Sequence, residues 1–280
     1  MLAIGPVLVV AATIGLMYSV ATTALGGWLP GVVAAAAVGL APLLWSQFSL
    51  APSTLYPLPF VAAWLLSIAF LVRTGRLWWA GVAGASLGAG LYMSLPAAIM
   101  MPCYVALTVI VGWPSRAISR QAWLVFLGSF SIVAIPYLVS WMMRPEEFRD
   151  MINAHHLYDA NRFNVLQGTR EFTSWVGLTA RSEVFWDYLN PAFLFVTGRV
   201  LAWPLVVLLP VGIYYAIVRE TTIVGRLALA GYIAAPLAAC LTAEPPTAAR
   251  IIWIVPFAAL LSAVAVAHVR RPRPAAGAPA

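Results

Sequence analysis

Lysine is absent from all 280 residues, and acids are scarce. The basic side chains are all arginine, and charged residues make up only 9% of the chain. A water-soluble domain carries about 25%. With 62% hydrophobic residues besides, water is excluded as the main solvent. The missing lysine, beside heavy Ala, Gly and Pro usage, is read as coding bias rather than function. Only two cysteines occur, Cys103 and Cys240, both inside apolar runs, where they read as small buried hydrophobes. No His/Cys spacing resembles a metal site, so no metal-binding residues are expected. No cofactor is indicated, although a divalent metal stays open. A net charge of +7 would suit nucleic acid, but the arginines are scattered between apolar spans rather than gathered in a patch.

What the chain does have is apolar length. Runs of about 20 residues, enough to cross ~30 Å of hydrocarbon, recur from end to end. Residues 1–25 lack a basic start, so they read as a spanning helix and not a signal peptide. Nine helices are expected, over 2–25, 28–45, 55–72, 77–94, 96–112, 122–143, 192–218, 227–242 and 251–268. Pro96, Pro136, Pro204 and Pro236 should break or kink them. The expected fold is all-α, a polytopic transmembrane bundle with one long outer-face loop. It divides into N-terminal spans over 1–143, an extracytoplasmic loop over 144–190, C-terminal spans over 191–268 and a disordered tail over 269–280. Twelve Trp and ten Tyr suit many membrane interfaces.

Charge sets the orientation. One set of loops carries Arg73, Arg76, Arg116, Arg120, Arg219, Arg226, Arg270, Arg271 and Arg273 against Glu220 alone. The other set holds the remaining acids. The positive-inside rule makes the first set cytoplasmic, which puts the N-terminus outside and the C-terminus inside a plasma or inner membrane.

The outer loop is the only long polar segment, and its residues are the first to ask about function. Pro145, Glu146 and Glu147 open a helix well, and Phe148, Met151, Ile152 and His155 share one face, so 145–157 is expected to lie on the bilayer surface. Phe185–Leu189 reads as an aromatic interfacial anchor. His155 and His156 are either substrate contacts or a solvated pair; adjacent helical residues point about 100° apart and do not readily share one ion. Asp150, Asp159 and Glu244 are the acids to test first for acid/base work. Arg250 opens the final span and Arg199 another, both where a guanidinium meets phosphate at headgroup depth. Each either clamps a specific phosphate or snorkels to ordinary lipid.

Gly84-Ala85-Ser86-Leu87-Gly88 matches the hydrolase pattern G-x-S-x-G, which needs a strand-to-helix turn. Its place in the middle of a span, among small residues at four-residue spacing, reads as close helix packing instead. Asp, Glu and Arg are confined to span ends, which disfavours ion-coupled transport.

Three stretches carry a resemblance. They are Trp45-Ser46-Gln47-Phe48-Ser49-Leu50, then Arg73-Thr74-Gly75-Arg76-Leu77-Trp78-Trp79 running to Gly88, then 235–244 continuing through Arg250 to Pro256. In order and spacing they resemble the multi-pass glycosyltransferases of the C-type fold. The nearest group is that of the dolichyl-phosphate-mannose protein mannosyltransferases and the lipid A aminoarabinose transferase. Pro191–Gly198 is similar to the family's entry into the span after its large outer loop. The resemblance covers roughly 28–268. It implies a polyprenyl-phosphate sugar donor, transfer on the outer face of the cell envelope, a carboxylate acting on the acceptor, and basic residues holding the leaving phosphate. On that pattern Arg250 matches the arginine that opens the last span.

Two departures bear on it. The family's catalytic acid lies in an outer loop after the first span, whereas the first acid here is Glu146. About a hundred residues of a usual member are then expected to be missing, and the 280 residues by themselves to lack turnover. Thr247, Ala248 and Ala249 also stand where the family often has a histidine. The competing expectation is a non-catalytic or transport-type protein handling lipid-linked glycans, flippase- or polymerase-like.

Overall fold

A long apolar run can satisfy its backbone polar groups internally only as helix. In the computed structural model every regular element among the described residues is helical. Those residues are 4–50, 52–115, 118–144, 146, 167, 170, 174–219, 222–241 and 246–269. The helices in chain order are α1 (Ile4–Leu25), α2 (Trp28–Gly39), α3 (Pro42–Leu50), α4 (Leu58–Thr74), α5 (Leu77–Gly90), α6 (Leu95–Gly112) and α7 (Arg120–Met143). After these come α8 (Trp175–Leu189), α9 (Leu205–Val218), α10 (Ile223–Ala234), α11 (Leu237–Cys240) and α12 (Ile254–Val269).

Among the described residues four stretches are long and apolar enough to cross a membrane: Ile4–Leu25, Leu95–Gly112, Arg120–Met143 and Ile223–Cys240. Trp28–Gly39 and Pro42–Phe48, bent by 45°, make a fifth if counted as one span. Leu58–Thr74, Leu205–Val218 and Ile254–Val269 are apolar but shorter. Length and composition alone therefore reach five spans rather than the nine expected.

Several expected helices are divided, each for a local reason. The run over 28–45 bends between Gly39 and Pro42, and 227–242 breaks at Ala235–Pro236. The helix expected over 192–218 starts only at Leu205, because Gly198, a left-handed Arg199 and Pro204 interrupt it. Pro96 falls in the first turn of α6, where proline costs no hydrogen bond, so it starts that helix instead of kinking it. Between Arg73 and Arg76, Gly75 takes φ +67° and its N–H returns to the Leu71 carbonyl at 2.8 Å, ending α4 sharply.

The core is built around α12. Every residue from Ile254 to Ala265 is buried, as expected of a helix apolar all round. It packs on α2, α9 and α10, with lesser contact to α1 and α4. Small residues set the close approaches: a Cβ at Gly212 would run into the Leu261 carbonyl, and one at Gly231 into the Phe257 ring. Beside α12, Trp64 stacks on Tyr104 at 5.3 Å and gives its indole N–H to Thr108 Oγ1 at 3.1 Å. At the edge of the bundle α7 buries only Ala122, Trp123, Phe126 and Ala134. Its Leu124, Ile132, Leu138, Met142 and Met143 are exposed. Its main neighbour is α5.

Candidate functional site

The polar features of the fold gather where α8 meets the end of α11 and the start of α12. Helix α8 lies inside the segment expected to be loop. Ser174 caps it, accepting the Gly177 N–H at 3.2 Å. Three interactions fasten it. Arg181 Nε donates to the Leu241 carbonyl at 3.1 Å, while its Nη1 is steadied within α8 by donating to the Gly177 carbonyl at 2.9 Å. Burial lowers the guanidinium pKa from its ordinary value. Tyr188, fully buried, accepts the Thr247 N–H at 3.1 Å. Its ring also meets Phe193 edge-on at 5.5 Å.

Tyr188 therefore joins two turns that each carry an arginine. One is the 3-10 turn Ala248–Ile251, which holds the half-buried Arg250 and leads through Trp253 into α12. The other is the π-turn Phe193–Thr197, followed by Arg199. Arg181 and Tyr188 hold the chain at Leu241 and Thr247, the two sides of the loop that contains Glu244. Helix α3 also touches the turn of Arg250. On α3, Gln47 is 4% exposed and its Oε1 has no hydrogen-bond partner among the described residues. A buried amide oxygen left so is uncommon.

The turn of Arg199 is strained. Arg199 has φ +46°, a region that costs a non-glycine residue roughly 1–3 kcal/mol. Gly198 before it has an ordinary φ, and is needed for space: a Cβ there would sit 2.7 Å from the Phe193 carbonyl and 3.0 Å from its ring. The Gly198 N–H returns to that carbonyl at 2.8 Å, and the Leu194 carbonyl takes both Val200 N–H and Leu201 N–H, at 2.9 and 3.0 Å. Beside this turn a cleft of about 340 Å3 is lined by Pro42, Phe195, Val196, Arg199, Leu201 and Trp203. Arg199 is exposed and makes no hydrogen bond or ion pair with any described residue.

Among the residues expected to act, Arg250 and Arg199 thus stand on two turns held by one tyrosine. Asp150, Asp159, Glu244, His155 and His156, with the surface helix expected over 145–157, lie outside the described residues. Gly84-Ala85-Ser86-Leu87-Gly88 lies within α5, so no strand-to-helix elbow exists there. A Cβ at Gly84 would strike the Phe126 carbonyl and Ser129 Oγ, and one at Gly88 would lie 2.7 Å from Val133 Cβ, so the glycines serve helix packing. Among the described residues no three His, Cys, Asp or Glu side chains come together as a metal site would require. Sequence reasoning missed α8, Arg181 and the bolt at Tyr188. Ser174 ahead of Trp175 and Val176 was a usable start signal. Nothing in the Phe185–Leu189 aromatic run distinguishes the exposed Trp186 from the buried Tyr188.

No family model, curated protein or solved structure matches the chain.

Proposed function

We propose that the chain is a multi-pass membrane glycosyltransferase, or the C-terminal portion of one, that takes a sugar from a polyprenyl-phosphate donor on the outer face. In this reading nine spans cross the bilayer: α1, the bent pair α2–α3, α4, α5, α6, α7, α9, α10 with α11, and α12. Of the shorter members, α12 is enclosed by its neighbours from Ile254 to Ala265. The exposed Leu, Ile and Met side chains of α7 favour lipid, since water penalises an apolar surface of that extent. The N-terminus is outside and the C-terminus cytoplasmic, from the arginine bias of the loops.

One observation carries the functional reading. Helix α8, which closes the long outer segment, is tied by Arg181 and Tyr188 to both sides of the loop that holds Glu244 and leads to Arg250. Helix α8, Leu241, Thr247 and the turn of Arg250 thereby come together in an apolar bundle. Arg250, in a turn tied at Thr247 before it and running into the buried α12 after it, loses little entropy on meeting a phosphate. Its planar fork offers paired donors that an ammonium cannot. Gln47 Oε1, on a helix touching that turn, offers an acceptor to a hydroxyl-rich ligand.

Polyprenyl-phosphate affinity of the reconstituted chain tests this. Losing one charge-assisted hydrogen bond corresponds to roughly tenfold, so Arg250→Lys should weaken binding by about that factor and Arg250→Ala by more. Equal affinity across wild type and both variants would reduce Arg250 to an interfacial anchor and favour the non-catalytic reading.

A further inference from the structure

The cleft beside Arg199 has the chemistry of a lipid site separate from the turn of Arg250. Five of the six described residues that line it are apolar, and the sixth is an arginine without a partner among the described residues. Trp203, 66% exposed, stands at its rim, as an aromatic at the hydrocarbon boundary does. Pro42 brings the first turn of α3 to the cleft, and its partial positive charge adds to that of the guanidinium. The sequence Thr197-Gly198-Arg199 puts arginine, not the neighbouring glycine, at the left-handed position. A residue held in strain at a cleft mouth points to a use for its side chain.

We propose that this cleft binds an anionic bilayer phospholipid, its phosphate paired with Arg199 and a chain lying along Phe195, Leu201 and Trp203. Among the described residues that line it there is no acid that would take a choline or ethanolamine cation, so the favoured headgroup is one whose only charge is the phosphate, such as phosphatidylglycerol. The inference rests on the membrane placement proposed above and not on sugar transfer.

The test uses the purified full chain in detergent and follows its melting midpoint with four probes: dioctanoyl-phosphatidylglycerol, dioctanoyl-phosphatidylcholine, sodium phosphate and a polyprenyl phosphate. At a hundredfold excess over Kd, phosphatidylglycerol should raise the wild-type midpoint by roughly 5–10 °C. Phosphatidylcholine should do markedly less, and free phosphate, lacking a chain, should do nothing. In Arg199→Gly the shift should vanish while the lipid-free midpoint stays at or above wild type, because glycine accepts the left-handed backbone. Arg199→Asn, which also tolerates that region, serves if the glycine variant does not fold. A phosphatidylglycerol shift that survives both substitutions overturns the proposal, as does an equal shift with phosphatidylcholine. An Arg199-dependent shift from polyprenyl phosphate alone would assign the cleft to the donor instead. A chain that fails to bind donor but keeps the phosphatidylglycerol shift would count against sugar transfer and leave the lipid site standing.

Discussion

Replacing Gly84 by alanine should detach α7 from the bundle. A Cβ at Gly84 would strike the Phe126 carbonyl oxygen and Ser129 Oγ, and would stand 3.0 Å from the Phe130 backbone nitrogen. Two of these three atoms belong to the backbone of α7, so no rotamer change relieves the clash and the helices must separate. Overpacking costs about 1–3 kcal/mol, and a backbone obstacle belongs at the upper end. Alanine in place of glycine returns about 1 kcal/mol of helix propensity. The net loss is about 2 kcal/mol, a fall in melting midpoint of roughly 4–8 °C. Two controls share the helix pair. A Cβ at Gly128 meets nothing within 4 Å, and one at Gly81 meets only Val125 Cγ1 at 3.5 Å, an ordinary contact. Gly128→Ala and Gly81→Ala should therefore melt at or slightly above wild type. Thermal unfolding of the four proteins in one detergent decides it. If Gly84→Ala melts with the two controls, the close α5–α7 approach is wrong.

Tyr188→Phe leaves the Thr247 N–H without its acceptor and should cost about 1–3 kcal/mol, read as a lower melting midpoint and as lost hydrogen-exchange protection at Thr247. Arg181→Met should likewise loosen α8 from Leu241, with faster exchange along α8 while α5 and α7 are unaffected. Trp64→Phe keeps the stack on Tyr104 but loses the indole bond to Thr108 Oγ1, for a cost near 1 kcal/mol in thermal unfolding. In a background with Cys103→Ala and Cys240→Ala, Ala160→Cys should react with an impermeant maleimide from outside and Ala275→Cys only after the membrane is opened; labelling of position 160 from the cytoplasmic side alone would reverse the topology.

Helix existence was legible because apolar runs leave the backbone no other choice, and the ends of α4, α6, α7 and α12 fall close to where composition changes. The interruptions were less so. Pro204 announced itself, but the left-handed turn at Arg199 did not, since the chain uses arginine where glycine would have been the signal. The central place of α12 could not be read either: α9 is also an apolar helix, and only packing makes one buried from Ile254 to Ala265 and the other half exposed. At the candidate site, Arg250 and Arg199 stood out as charges beside apolar runs. Arg181 and Tyr188 did not, because their roles depend on contacts to Leu241 and Thr247, about sixty residues away along the chain. Local pattern holds no information about such pairings.

The most direct measurement is photocrosslinking in proteoliposomes with a polyprenyl phosphate that carries a diazirine next to its phosphate, the adducts mapped by mass spectrometry. The account predicts adducts in Thr247–Ile251 and on α8, suppressed by unlabelled polyprenyl phosphate. Adducts confined to the exposed face of α7 or to the cytoplasmic loops, or adducts that unlabelled polyprenyl phosphate does not suppress, would contradict it.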